Sequence, residues 1–167
     1  ALMQVSTDGT GTVAVLYEEL GMRAFKPVLS DDGQKLAFVR GMPLDARTWE
    51  IMLMDSTTRQ ITALSQNKLM DNWPVFSADA RWVYAVRTNA DGAEIWRLPT
   101  DGVSEASPIY ATSAWVSNLT LSPDGSSLLF SEGASDSPSG QILVLSTSGG
   151  LPRALGIISG LSADWIP

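Results

Sequence analysis

Apolar positions along this chain fall in short runs of strand length, broken by polar turns, and one arrangement of them recurs. Residues 27–38 read PVLSDDGQKLAF, residues 74–84 read PVFSADARWVY and residues 119–130 read LTLSPDGSSLLF. Each has an apolar strand end, a serine, an acidic turn and then a strand of alternating apolar positions. The serines, Ser30, Ser77 and Ser122, stand 47 and 45 residues apart. Residues 161–167 (LSADWIP) look like a fourth, partial copy; setting Trp165 against Leu121 continues the spacing at 44. An interval in the mid-forties is that of a four-stranded propeller blade.

The second half of each unit repeats as well. Residues 49–55 (WEIMLMD), 94–99 (EIWRLP) and 141–146 (QILVLS) are predicted third strands, each followed by a turn and a short fourth strand at 60–64, 107–111 and 152–155. Residues 1–6 and 12–17 fit the same half-unit around Thr7-Asp8-Gly9. No helical period competes; residues 14–22 are expected to be a strand running into a loop. The predicted fold is therefore all-β, a propeller or a segment of one. Residues 1–20 form a half blade, 21–66, 67–112 and 113–157 three blades, and 158–167 the first strand of a further blade. The two ends are complementary, since a blade's third and fourth strands open the chain and a first strand closes it. Unpaired sheet edges invite association, which leaves three readings: a piece of a larger propeller, closure into a small ring, or association of two chains through their end strands.

Composition narrows the chemistry. A net charge of −7, with no basic cluster, argues against nucleic acid and against an anionic membrane surface. No run reaches the length of a membrane-spanning helix, so direct membrane insertion is not expected. There is no cysteine and no histidine. Disulfides, thiolate metal sites, a Cys nucleophile and a Ser-His-Asp triad are thereby excluded within these residues. No nucleophile elbow or phosphate-binding glycine loop occurs. The expectation is a chain without catalytic residues, cofactor or metal.

The turn Ser122-Pro123-Asp124-Gly125, followed by Leu128 and Phe130, resembles the signature of TolB-type propeller repeats. Ser30-Asp31-Asp32-Gly33 with Leu36 and Phe38 is a near match; Ser77-Ala78-Asp79-Ala80 has lost the proline and the glycine. Pro27 and Pro74 match the proline before the strand end; Leu119 and Ala163 do not. The resemblance covers nearly the whole chain. It implies a propeller like that of periplasmic TolB, which binds partner proteins, and an extracytoplasmic location. Similar repeats occur in the substrate-gating propellers of prolyl-oligopeptidase-type peptidases and in C-terminal sensor domains of membrane-anchored winged-helix regulators.

In the Asp-Gly turns proline presets φ, the aspartate caps the turn and glycine takes positive φ, a structural role. Residues 89–94 (NADGAE) look faintly like a calcium loop but lack its ligand offsets and read better as a hairpin turn. Of the six tryptophans, Trp82 and Trp96 are expected between blades, Trp165 in the core and Trp49 at a blade edge. Trp73 and Trp115 are expected in the loops that enter first strands, on the face shared with the connections between second and third strands. Partners dock on that face. Its candidates are Arg23, Lys26, Arg40, Arg47, Asp71, Asn72, Trp73, Arg87, Asn89, Trp115 and Asn118, since Arg and aromatic side chains dominate binding hot spots. The expected partner is a protein, with the channel open to a small ligand.

Overall fold

The computed structural model describes residues 1–134, 140–158 and 163–166. Fourteen strands and no helix make up the described residues. A two-stranded ribbon, β1 (Leu2–Val5) and β2 (Val13–Tyr17), precedes three four-stranded antiparallel sheets. The first blade is β3 (Arg23–Leu29), β4 (Lys35–Met42), β5 (Asp45–Asp55) and β6 (Ile61–Ala63). The second is β7 (Met70–Phe76), β8 (Trp82–Asn89), β9 (Gly92–Pro99) and β10 (Ser107–Thr112). The third is β11 (Trp115–Leu121), β12 (Ser127–Gly133), β13 (Gly140–Ser146) and β14 (Arg153–Ile158). Spatial order follows chain order in every sheet, so each blade is an up-and-down meander joined by short turns.

Three apolar layers hold the sheets face to face. Leu2, Leu16 and Tyr17 of the ribbon meet Leu36, Phe38, Met52 and Met54 of the first blade. Ala37, Val39, Ile51 and Leu53, on the other side of that blade, meet Phe76, Val83, Ala85 and Leu98 of the second. Tyr84, Val86, Ala93 and Ile95 of the second meet Val116, Leu119, Leu128, Phe130, Leu143 and Leu145 of the third. Successive strand residues point to opposite faces, so Ala37 and Phe38 serve different layers. That is why second strands are continuous apolar runs such as LAFV and VYAV: both faces are buried.

The serine turns repeat atom by atom. Each serine N–H and carbonyl closes the hairpin, onto Lys35 O and Gly33 N, Trp82 O and Ala80 N, or Ser127 O and Gly125 N. Each serine Oγ donates to the aspartate two residues on, at 2.6, 2.6 and 2.5 Å, and accepts the N–H of Lys35, Trp82 or Ser127. The last turn residue has positive φ at Gly33 (70°), Ala80 (52°) and Gly125 (72°). The second turn keeps its geometry without glycine. Ala80 is buried between blades, and its carbonyl accepts from Lys35 Nζ and Thr100 Oγ1.

Among the described residues no third strand joins the ribbon β1–β2. Residues 163–166 carry no regular structure, and 159–162 and 167, which share the expected closing strand, lie outside the described residues. So do residues 135–139. The turn-rich residues 41–48 form only a short loop, because β4 and β5 extend into them and pair Met42 with Asp45.

Candidate binding face

All first strands enter from one end of the blades, and the hairpins joining second to third strands lie at that same end. Arg23 pairs with Gly41, Met70 with Thr88 and Trp115 with Gly133. On the first blade Arg23, Phe25, Met42, Pro43 and Trp49 line a groove of about 260 Å³. Trp49 is set by a T-shaped contact with Phe25, centroids 4.9 Å apart, and by donation from Nε1 to Met42 O. Leu44, at the hairpin tip, is fully exposed. Between the second and third blades, Thr88, Asn89, Asp91, Ser113 and Trp115 line a polar cleft of about 420 Å³. Trp115 is 37% exposed there. The 89–94 segment is a hairpin turn: Asn89 Oδ1 accepts the Asp91 N–H, and Glu94 is taken by Trp96 Nε1 at 2.7 Å. Its Gly92 has φ 145° and lies so close to Thr112 O that no side chain fits.

The first strands share a second feature. Each carries a bulge, after Phe25, Asn72 and Ser117. At each bulge a non-glycine residue takes positive φ: Lys26 (50°), Trp73 (54°) and Asn118 (56°). These three positions recur at the same intervals as the serines. A bulge re-aims a side chain out of the strand's regular alternation, and here it brings the Lys26 ammonium 2.8 Å above the centre of the Trp73 ring. Trp73 also packs against the layer shared by the second and third blades. Burial pulls Lys26 down from its ordinary value to about 8.

The sequence-predicted candidates therefore divide. Arg23, Arg47, Asn89 and Trp115 stand at the hairpin end, with Arg47 paired to Asp45 in the open at 3.0 Å. Lys26, Trp73 and Asn118 line the wall formed by the first strands. Trp73 and Trp115 belong to strands β7 and β11, not to the loops before them, because the bulges let the first strands run on past Trp73 and Asn118. Asp71, Asn72 and Arg87 are buried, and Arg40 is half-buried with its guanidinium engaged in ion pairs. Arg87 grips Asp71 through Nε at 2.8 Å and NH2 at 3.1 Å, and Asn67 donates to the same carboxylate. Asp71 is 1% exposed and Arg87 9%, with the guanidinium stacked over Trp96 at 4.0 Å. A charge taken out of water this far needs its partner, so the pair is an internal brace. Asn72 is buried and accepts the Trp73 N–H. Arg40 ties the loop after β2 to the first blade through Glu19, Tyr17 and Glu50. Its guanidinium and the Tyr17 hydroxyl hold the Glu19 carboxyl down at about 2.

Sequence reasoning passed over Met42, Pro43, Leu44, Thr88 and Ser113. The signal available was an apolar Met-Pro-Leu run inside a turn-rich stretch, where polar residues are the norm. Among the described residues no group of acidic side chains could hold a metal ion, and no helix is long and apolar enough to cross a membrane.

Known proteins place this architecture. A TolB protein from Agrobacterium tumefaciens superposes with a TM-score of 0.75 at 21% identity, over 87% of this chain and 53% of its own. TolB from Acinetobacter baumannii gives 0.70 at 22% identity, over 90% and 36%. A prolyl endopeptidase gives 0.70 at 14% identity, over 92% and 26%. The chain thus spans about half, or less, of the structures it matches, and the likeness is one of fold. No curated protein matches it. Residues 1–133 match the family described as the lipoprotein LpqB beta-propeller domain; with its repeated serine turns and stacked four-stranded sheets, the chain belongs to that family of TolB-type β-propellers.

Proposed function

We propose that this chain is a non-catalytic interaction propeller, held outside the cytoplasm, that docks a protein partner at the hairpin end of its blades. One observation carries the reading. Large apolar side chains stand exposed there: Leu44 at 100% and Met42 at 46% on the first blade, whose groove holds Arg23, Phe25 and Trp49, and Trp115 at 37% in the cleft between the second and third blades. Exposed apolar area with a polar rim and Trp or Arg anchors is the composition of a binding hot spot. Leu29, Val103 and Leu151 are exposed at the opposite end, but they sit one to a blade beside tight turns, the scattered pattern of ordinary surfaces.

The match to a lipoprotein propeller family and the likeness to TolB support the extracytoplasmic placement. The peptidase-gating and regulator-sensor readings draw on fold likeness alone. A hydrolase domain, or a winged helix with a membrane span, elsewhere in the same gene would establish either one.

The test is co-purification from cells producing the intact protein, with the captured partner identified by mass spectrometry. A Leu44→Asp, Trp115→Ala variant loses that partner while keeping its Tm. Retention of the same partner by the variant contradicts the reading.

A further inference from the structure

The Lys26–Trp73 pair has a use that neither the fold nor the hairpin-end face requires. Lys26 is half-buried, yet among the described residues its ammonium meets only the face of the Trp73 ring. Other enclosed cations find oxygen: Lys35 reaches Ala80 O and Thr100 Oγ1, Arg40 reaches Glu19 and Glu50, Arg87 reaches Asp71. Burial lowers the pKa of the Lys26 amine, and among the described residues no ion pair includes it. A cation over an indole face recovers part of its lost hydration, but the three N–H donors of an ammonium still seek acceptors. The backbone holds this arrangement against its own preference, since both Lys26 and Trp73 take positive φ without being glycine.

Next to the bulges lies room for a ligand body. Val28, Pro74, Val75, Leu119 and Pro123, contributed by all three blades, line a cleft of about 360 Å³. Lys26, Trp73 and Asn118 neighbour that lining along the chain, two residues before Val28 and one before Pro74 and Leu119. The side-chain amide of Asn118 makes only a long 3.4 Å contact with Ser117 Oγ, which leaves its donors to spare. Asp31 also lines the cleft, so a second negative charge on the ligand body is disfavoured.

We propose that Lys26 and Trp73 form a binding site, in the wall made by the first strands, for a monocarboxylate carrying an apolar body. The carboxylate replaces the ring as the ammonium's partner in a charge-assisted hydrogen bond, and the body lies along the Pro74–Leu119 lining. The site stands apart from the protein partner and the hairpin end proposed above.

The chain has three lysines, Lys26, Lys35 and Lys68, so Lys26 can be followed in the intact protein by NMR of its ε-methylene carbon. A Lys26→Arg variant, which removes the signal, assigns it. The probes are 3-phenylpropionate, N-acetyl-leucyl-valine with a free C-terminus, and the amide of the same dipeptide. Saturable movement of the Lys26 resonance with either acid, its titration shifting upward from about 8 while Lys35 and Lys68 stay still, supports the site. The two acids separate a free organic acid from a peptide C-terminus as the natural source. Lys26→Met weakens binding at least about tenfold, and Lys26→Arg keeps it within a few fold. A Lys26 signal unmoved by millimolar acid, or moved equally by the amide, overturns the proposal. That failure leaves partner capture through Leu44 and Trp115 untouched, so the two ideas fall separately.

Discussion

The two ends of the blades are built on opposite plans. At the serine-turn end the three blades are near copies, with the same serine, the same aspartate and the same pair of backbone bonds in each. The serine hydroxyl, N–H and carbonyl of each turn are all answered within the turn. At the hairpin end the blades diverge: a Met-Pro-Leu tip on the first, an Asn-Ala-Asp-Gly turn on the second, an exposed tryptophan on the third. A repeated, self-satisfied motif is what stacking demands of every blade. Features found once, with surface left open, are free to serve a ligand. The first-strand bulges combine both plans, since their backbone is repeated while their side chains are Lys, Trp and Asn.

The largest expected effect falls between the two ends. Arg87→Ala leaves the Asp71 carboxylate buried with Asn67 as its remaining side-chain partner, and destabilises by about 3–5 kcal/mol in chemical denaturation. A small effect would move Arg87 from the internal brace back to the face. Next come the turn serines. Ser30→Ala and Ser122→Ala each remove a buried hydroxyl that both donates and accepts, at about 1–3 kcal/mol. Ser77→Ala costs less, because Ser77 is only half-buried. Equal and negligible costs would break the claim that this end is scaffold.

Acid sharpens the same contrast. The Ser122 hydroxyl, then the Ser126 N–H, hold the Asp124 carboxyl near 2, below its usual 3.8; the Ser30 and Ser77 hydroxyls lower Asp32 and Asp79 in the same way. A carboxyl with a lowered folded pKa stabilises above its ordinary range and loses that contribution as protons bind. The stability gap between wild type and Ser122→Ala is therefore full at pH 6 and narrows as the pH falls from about 4 toward 2. A gap that widened on acidification would contradict the turn chemistry. The smallest thermodynamic effect belongs to the hairpin end: Trp115→Ala changes stability by no more than about 0.5 kcal/mol. A much larger loss would mark Trp115 as core.

The fold was legible in the sequence because blades repeat, and repeated spacing survives even where a turn loses its glycine, as at Ala80. The turn mechanism was legible too, since Ser-x-Asp fixes its own hydrogen bonds locally. The candidate site was legible only in part. Arg40, Asp71 and Arg87 looked like surface hot-spot residues, because spacing along a chain does not reveal that two opposite charges pair across strands. Trp73 and Trp115 looked like loop residues, because each precedes the strand end that the repeat marks at residues 74–76 and 119–121. A bulge, which keeps the strand going while turning one residue to positive φ, leaves no pattern at period two. The contact between Lys26 and Trp73 crosses two blades, and no local signal encodes it.

Site-specific photo-crosslinking in cells making the intact protein tests most directly whether function lies at the hairpin end. Benzoylphenylalanine at positions 44 and 115 should trap one and the same partner protein, while the label at positions 33 and 148, on the serine-turn end, should trap none. Adducts confined to positions 33 and 148 would contradict it.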